Sequence, residues 1–286
     1  MHKPVYLFTN AFICLLLILI FSNCNITAQH TSPAGYDFTA PQKKLLPAAL
    51  HEISGIAFLK EKEDSLFAIE DEDGKIFYFS WKDESLSRSK FGKKGDYEDV
   101  TIFDSSRVAV LRSDGSLFLF SVEAMKKEKM DSVQIYEHIL PEGEYEGLFA
   151  DSNKLFALCK NCPGDKQKKE VSVYTLQKTA GDSFSVAGSF KIDVSIIQPK
   201  DGNDKAKFHP SGIAKHPLTH EWFIISSVNK LLLILNEQWK VKKYYPLDPA
   251  LFKQPEGITF NSKGDLYISN EGGEGDANIL LFRYQK

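Results

Sequence analysis

The stretch "QPEGITFNSKGDLYISNEGG", residues 254–273, holds two short runs, "GITF" and "DLYIS", separated by a polar segment that ends at Gly264. β-Branched and aromatic residues dominate the runs, and Asn, Ser, Lys and Gly fill the gap, the composition of two strands and their turn. A carboxylate stands just before the first run, Glu256, and another just after the second, Glu271.

The same frame recurs upstream in "EISGIAF" at Ser54, "DYEDVTIF" at Glu98, "EYEGLFA" at Glu146 and "HPSGIAK" at Ser211. From Ser54 to Glu256 the anchors are spaced by 44, 48, 65 and 45 residues. Each is followed by a second β-prone run ("SLFAIE", "RVAVL", "KLFALC", "WFIIS", "DLYIS") and a third ("KIFYFSW", "SLFLFSV", "VSVYTL", "LLLILN", "NILLFRY"). A period near 45 residues with three strands and room for a fourth describes a β-propeller blade, so the fold class is all-β and the expected architecture is a single five-bladed propeller. The last copy runs out of chain before a fourth strand, while "YDFTAPQKKLLPAAL" (36–50) precedes the first copy with no partner. Pairing that segment as the outer strand of the last blade closes the ring and removes an open edge. The 65-residue interval is read as an insertion, because "QPKDGNDKAK" (198–207) is polar and carries no anchor; a sixth blade with a degraded signature is the alternative.

Outside this domain, residues 29–286, the first 28 residues form a basic start, an apolar run "AFICLLLILIF" (11–21) and a small-residue ending at Ala28. That is the layout of a secretory signal, with a lipoprotein signal at Cys24 or an uncleaved anchor as alternatives, and each of the three exports the rest of the chain to the periplasm or cell envelope. With 35 basic and 38 acidic side chains the formal charge is −3, which gives no basic field for nucleic acid, and the membrane is reached only through the N-terminal segment.

The anchors "LPAALHEISGIAF", "DYEDVTIF", "EYEGLFA", "HPSGIA" and "QPEGITFNSKGDLYISNE", in that order, resemble the SdiA-regulated (YjiK-like) β-propeller family of exported bacterial proteins across the whole chain after the leader. The resemblance implies five blades, a calcium site in many members and no established enzymatic activity. This sequence departs from the family's more acidic pattern at the ends of the second strands of copies two to four, where Arg112, Cys159 and Ser226 stand.

Because inner strands of a propeller line one axis, Glu98, Glu146 and Glu256 are expected at one mouth of the channel, with Glu271 leaning toward the same rim. Converging carboxylates repel unless protonated, hydrated or neutralised, and calcium is the hard cation whose irregular oxygen coordination suits them. The competing expectation is structural: each Glu accepts backbone N–H bonds from the next blade. "EDEDGKIF" (70–77) is read as a strand-connecting turn, since an EF-hand counted from Asp71 would end on Lys82 rather than Glu. "NEGGEGDAN" (270–278) suits either an ion-holding loop or a mobile hairpin. Cys159 and Cys162 lack both a following helix and a second cysteine pair, so a local disulfide in an exported protein is expected, with free thiols or redox exchange as alternatives. His216 and His220 flank Pro217 and Thr219 and read as a turn.

No nucleophile elbow, phosphate loop or dinucleotide fingerprint occurs. Two functions follow. One is a non-catalytic propeller binding a ligand or protein partner at its channel or rim, with a calcium ion. The other is a calcium-dependent hydrolase of lactonase or phosphoesterase type using the same carboxylates.

Overall fold

The computed structural model describes residues 32–59, 65–82, 85–104, 106–166, 169–179, 183–197 and 207–286. The leader with Cys24, and residues 198–206 of the insertion, lie outside them. Strand β1 (Gln42–Leu45) comes first in the chain. The first blade is β2 (Ile53–Phe58), β3 (Ser65–Glu70), β4 (Lys75–Ser80) and β5 (Leu86–Lys90). The second is β6 (Tyr97–Asp104), β7 (Arg107–Arg112), β8 (Leu117–Ser121) and β9 (Gln134–Tyr136). The third is β10 (Glu144–Asp151), β11 (Lys154–Asn161), β12 (Glu170–Lys178) and β13 (Phe184–Asp193). The fourth is β14 (Gly212–Lys215), β15 (Trp222–Ser226), β16 (Leu231–Leu235) and β17 (Val241–Pro246). The fifth combines β18 (Pro255–Phe260), β19 (Leu266–Asn270) and β20 (Asn278–Phe282) with β1 at its outer edge.

The N-terminal strand therefore closes the ring, pairing antiparallel with β20 from Gln42 opposite Leu281 to Leu45 opposite Asn278. All five sheets are four-stranded and antiparallel, and no sixth sheet occurs among the described residues. Helix is limited there to two short 3-10 turns, Ala48–Leu50 and Glu123–Lys126.

Alternation along the strands sends side chains to both faces of each blade, so the core is divided among five seams. Ile56 packs with Tyr267 and Ile279 between the fifth and first blades, and Val100 with Phe67 between the first and second. Leu148 packs with Leu111 and Leu119 between the second and third, Ile213 with Leu158 and Val173 between the third and fourth, and Ile258 with Ile225 and Phe223 between the fourth and fifth. Tyr36 and Phe38, ahead of β1, are buried in this last cluster, and the Tyr36 hydroxyl donates to the Gly264 carbonyl at 2.6 Å.

At the anchors the ladders are bulged. Pairing of β6 with β7 skips Glu98, that of β10 with β11 skips Glu146, and that of β18 with β19 skips Glu256 and Gly257. A bulge re-aims the extra residue out of the ladder, which is why one position per inner strand can serve the axis instead of a seam. The glycine that follows four of the five anchors answers a steric demand. A Cβ on Gly212 would lie 2.5 Å from the Glu256 carbonyl oxygen, and one on Gly257 would lie 2.5 Å from the Ser54 carbonyl oxygen.

Candidate functional site

The bulges bring Glu98, Glu146 and Glu256 to the mouth of the channel where the inner strands begin. A second set of residues comes from the end of β11 and from the turns after β3, β7, β15 and β19: Lys160, Asp71, Ser113, Ser227 and Glu271. These stand one position beyond the column of Arg112, Cys159 and Ser226 on which the sequence reading dwelt. In a strand a one-residue step exchanges faces, so the column of Arg112, Cys159 and Ser226, equivalent to Glu70 and Asn270, belongs to the sheet, and Glu271 stands in the column beyond it.

The four glutamates do not form one group. Glu98 and Glu146 share a hydrogen bond across the second seam. Lys160 joins them, its Nζ 2.5 Å from Glu146 Oε1 and 3.1 Å from Glu144 Oε1. Burial holds the Glu98 carboxyl well above the usual range, and the Glu146 charge reinforces it. Burial also raises Glu146, while the Lys160 ammonium acts against that. The pair accordingly keeps its proton on Glu98 and its charge on Glu146, against the lysine.

Glu271 belongs to a second pair, with Glu52 across the seam of the fifth and first blades. Gln254 donates to Glu271 Oε2 at 2.9 Å, and His51 Nδ1 lies 2.7 Å from Glu52 Oε1. Burial raises Glu271, and the hydrogen bond with Glu52 adds to this, whereas Glu52 is lowered by its bonds with Glu271 and His51. Burial pushes Asp71 up to about 6, and its Oδ1 is buried with no hydrogen-bond partner. Glu256 is raised to about 7 by burial and then by the Glu146 charge, with a Ser227 hydrogen bond opposing the rise.

The blade-to-blade backbone bonding expected of the glutamates is done by their neighbour. Asp99 accepts from Val100 N at 2.8 Å and from Leu148 N at 2.7 Å, and Thr101 accepts from Ala150 N at 3.1 Å. A signal for Asp99 was present in the sequence, since it is the one non-glycine in the column Gly55, Asp99, Gly147, Gly212, Gly257. Gly55 makes room for it, because a Cβ there would meet Asp99 Oδ1 at 2.3 Å.

Cys159 and Cys162 form a disulfide, S–S 2.05 Å, that spans Lys160. With Asp165 they are the sole described trio of His, Cys, Asp or Glu whose ligand atoms fall within 4.8 Å of one another, and their sulfurs are bonded to each other. Among Glu98, Glu146, Glu256 and Glu271 no three carboxylates bring their oxygens within 4.8 Å of one another, and the Lys160 ammonium serves one pair. The "NEGGEGDAN" loop is tied to the chain before β2, with Gly272 N donating to the His51 carbonyl at 2.8 Å. Glu70 caps the "EDEDG" turn by accepting from Glu72 N and Asp73 N, both at 3.0 Å.

His216 and His220 lie at the other end of the channel. His216 Nδ1 accepts from Leu218 N and Thr219 N, both at 3.1 Å, as a turn requires, and burial lowers its pKa to about 4.

No curated protein matches the chain significantly. Among solved structures it is similar to a luciferin-regenerating enzyme, with a TM-score of 0.55, 10% identity and coverage of 85% of this chain and 95% of that one. It is also similar to the PQQ-bound aldose sugar dehydrogenase of Streptomyces coelicolor, with a TM-score of 0.50, 11% identity and coverage of 89% and 100%. At such identities the likeness is one of fold. The SdiA-regulated family profile matches residues 28–273, most of the chain, and with its anchors in five blades this protein belongs to the SdiA-regulated family.

Proposed function

We propose that this chain is an exported, non-catalytic binding propeller that takes a ligand or protein partner through a cationic group at the acidic mouth. The observation that carries the reading is the inequality of the two carboxyl pairs. Glu98–Glu146 is served by Lys160, whereas Glu52–Glu271 is served by an imidazole and an amide, with the unsatisfied Asp71 Oδ1 on the same side. Buried carboxyls held above their ordinary range gain from any cation that lets them ionise. Calcium belongs to this reading as one such cation, on the lysine-free side, where the Glu271 and Asp71 carboxylates would supply its oxygens. The hydrolase reading needs several carboxylates converging on a metal and a base beside it, and the spread of the glutamates gives it no support.

Thermal melting at about pH 8 tests the proposal, with calcium chloride and n-butylammonium chloride compared against sodium chloride at equal ionic strength. At least one cation raises the melting temperature by mass action, and Glu271→Gln removes the gain. Indifference of the parent to both overturns it.

A further inference from the structure

The structure assigns a second, separate binding site to the opposite end of the channel, for a small apolar monoanion such as an aromatic or branched-chain carboxylic acid. A cavity of about 410 Å³ opens there, bounded by the middle and C-terminal parts of all five inner strands. That volume lies within the range of small-molecule pockets, roughly 300–1,000 Å³. The crowded column of Gly55, Asp99, Gly147, Gly212 and Gly257 separates it from the glutamates, so it is not an extension of the acidic mouth.

What marks it as a site is where the repeat is broken. Three residues after each anchor the chain carries Ala57, Thr101, Phe149, Ala214 and Thr259, and only Phe149 is large. Four residues after each anchor it carries Phe58, Ile102, Ala150, Lys215 and Phe260, and only Lys215 is charged. Both exceptions border the cavity from adjacent blades, and both rest on one indole. The Phe149 ring meets Trp222 edge to face at 5.2 Å, and Lys215 Nζ lies 5.1 Å from the Trp222 ring centre. Five-fold packing needs neither a phenyl ring nor an ammonium at these positions, since the other four copies dispense with them. Local departures from a rule that the rest of the fold obeys are where binding functions reside.

The polar groups decide the sign of the ligand. Asp99 has both oxygens capped by backbone N–H groups, and His216 is neutral with Nδ1 capped. Asp151 is engaged at both oxygens, Oδ2 accepting from one of the three N–H donors of Lys215 at 2.7 Å and Oδ1 from the Ser152 hydroxyl at 3.2 Å. The charged capacity left over is therefore donor capacity on the Lys215 ammonium, beside the partly exposed rings of Phe149 and Phe260 and below the exposed His220 at the rim. An apolar body with one carboxylate matches that arrangement, because an ammonium donates its strongest bonds to an anion.

Two fluorescent probes of like shape test this on the full chain: anionic 8-anilinonaphthalene-1-sulfonate and neutral N-phenyl-1-naphthylamine. The parent binds one equivalent of the anion. Lys215→Met, which keeps the apolar stem, weakens the anion by about tenfold and the neutral probe by less than about twofold. Thr259→Trp fills the cavity and weakens both by at least about tenfold, while Glu271→Gln at the far mouth changes neither. Failure of the parent to bind either probe, or equal anion binding by Lys215→Met and parent, overturns the assignment. If Thr259→Trp does not fold, the Lys215→Met contrast decides alone, at a side chain that is 23% exposed. Loss of the cation response at the acidic mouth would leave this site untouched, so the two proposals fail separately.

Discussion

Glu98–Glu146 and Glu52–Glu271 are the same chemical object in two settings: a carboxyl pair, each member from a different blade, bridging a seam at the mouth of the channel. The first has an ammonium within 2.5 Å. The second has His51 and Gln254. The difference teaches that burying carboxylates at a propeller axis does not by itself call for a metal. A proton shared within a pair and one well-placed lysine remove the repulsion, and the pair without a lysine is the one at which the proposed cation would act.

The two pairs also depend on different parts of the chain. Glu52 directly follows the segment that carries β1 and the turn Ala48–Leu50, so removing residues 32–50 is expected to disturb the second pair together with ring closure. Tyr36, Phe38 and Leu50 are at most 7% exposed. At about 2–3 kcal/mol for each large buried side chain, the loss approaches the whole stability of an ordinary domain, about 5–15 kcal/mol. The expected outcome is a protein with no cooperative thermal transition. A truncated form that melts like the parent would show that β1 is dispensable.

Removing the ammonium makes the first pair resemble the second. Lys160→Met leaves Glu146 ionised against nothing in a nearly dry position, its side chain 6% exposed, and breaking such a pair costs about 3 kcal/mol. Urea denaturation near neutral pH checks the figure, and the loss should shrink as the pH falls and Glu146, already raised by burial, takes up a proton. A loss that does not depend on pH would mean that Lys160 acts through packing alone.

Titration sharpens the contrast further. A carboxyl whose folded pKa is raised binds its proton more tightly folded than unfolded, so stability grows as the pH falls from the folded value toward the unfolded one. Glu256, at about 7 against an unfolded 4.5, acts in that window. His216, lowered to about 4, acts the other way below its unfolded 6.5, because there the unfolded chain binds the proton. The test is therefore a difference: Glu256→Gln should be more stable than the parent at about pH 8, by about 2 kcal/mol, and should lose that advantage near pH 5. Equal stability at both pH values would place Glu256 in water rather than in the buried mouth.

The fold was legible because its signals are local and repeated: the anchors, the three runs after each, and a strand-poor C-terminus facing an unpartnered N-terminal segment. The site was legible in part. Glu98, Glu146 and Glu256 stand out in the repeat, and each does reach the mouth. Lys160 was missed for a geometric reason. The ladder skips one or two residues at the anchor bulges, so lining up the second strands by their β-prone runs selects Arg112, Cys159 and Ser226, one residue short of the side chains that face the axis. Glu52 was missed because its partner lies more than two hundred positions away, across the closure seam, and no local pattern encodes that meeting.

The smallest effect expected concerns how Lys160 is held. It sits inside the ring closed by Cys159 and Cys162, and this disulfide is positioned to hold the ammonium against Glu146. A bridge enclosing so few residues restrains little of the unfolded chain, at most about 2 kcal/mol by loop-closure entropy. Replacing both cysteines with serine should thus lower the melting temperature by only a few degrees. Its signature lies elsewhere: with Lys160 less confined, Glu146 and Glu98 lose part of their counter-charge, and the stability of the double variant should depend more steeply on pH between about 5 and 8 than that of the parent. Lys160→Met in the same background should then cost less than it does with the disulfide intact, because part of what the lysine contributes has already been lost. Additive losses would mean that the bridge and the ammonium stabilise the molecule independently, and that the disulfide serves the loop rather than the acidic mouth.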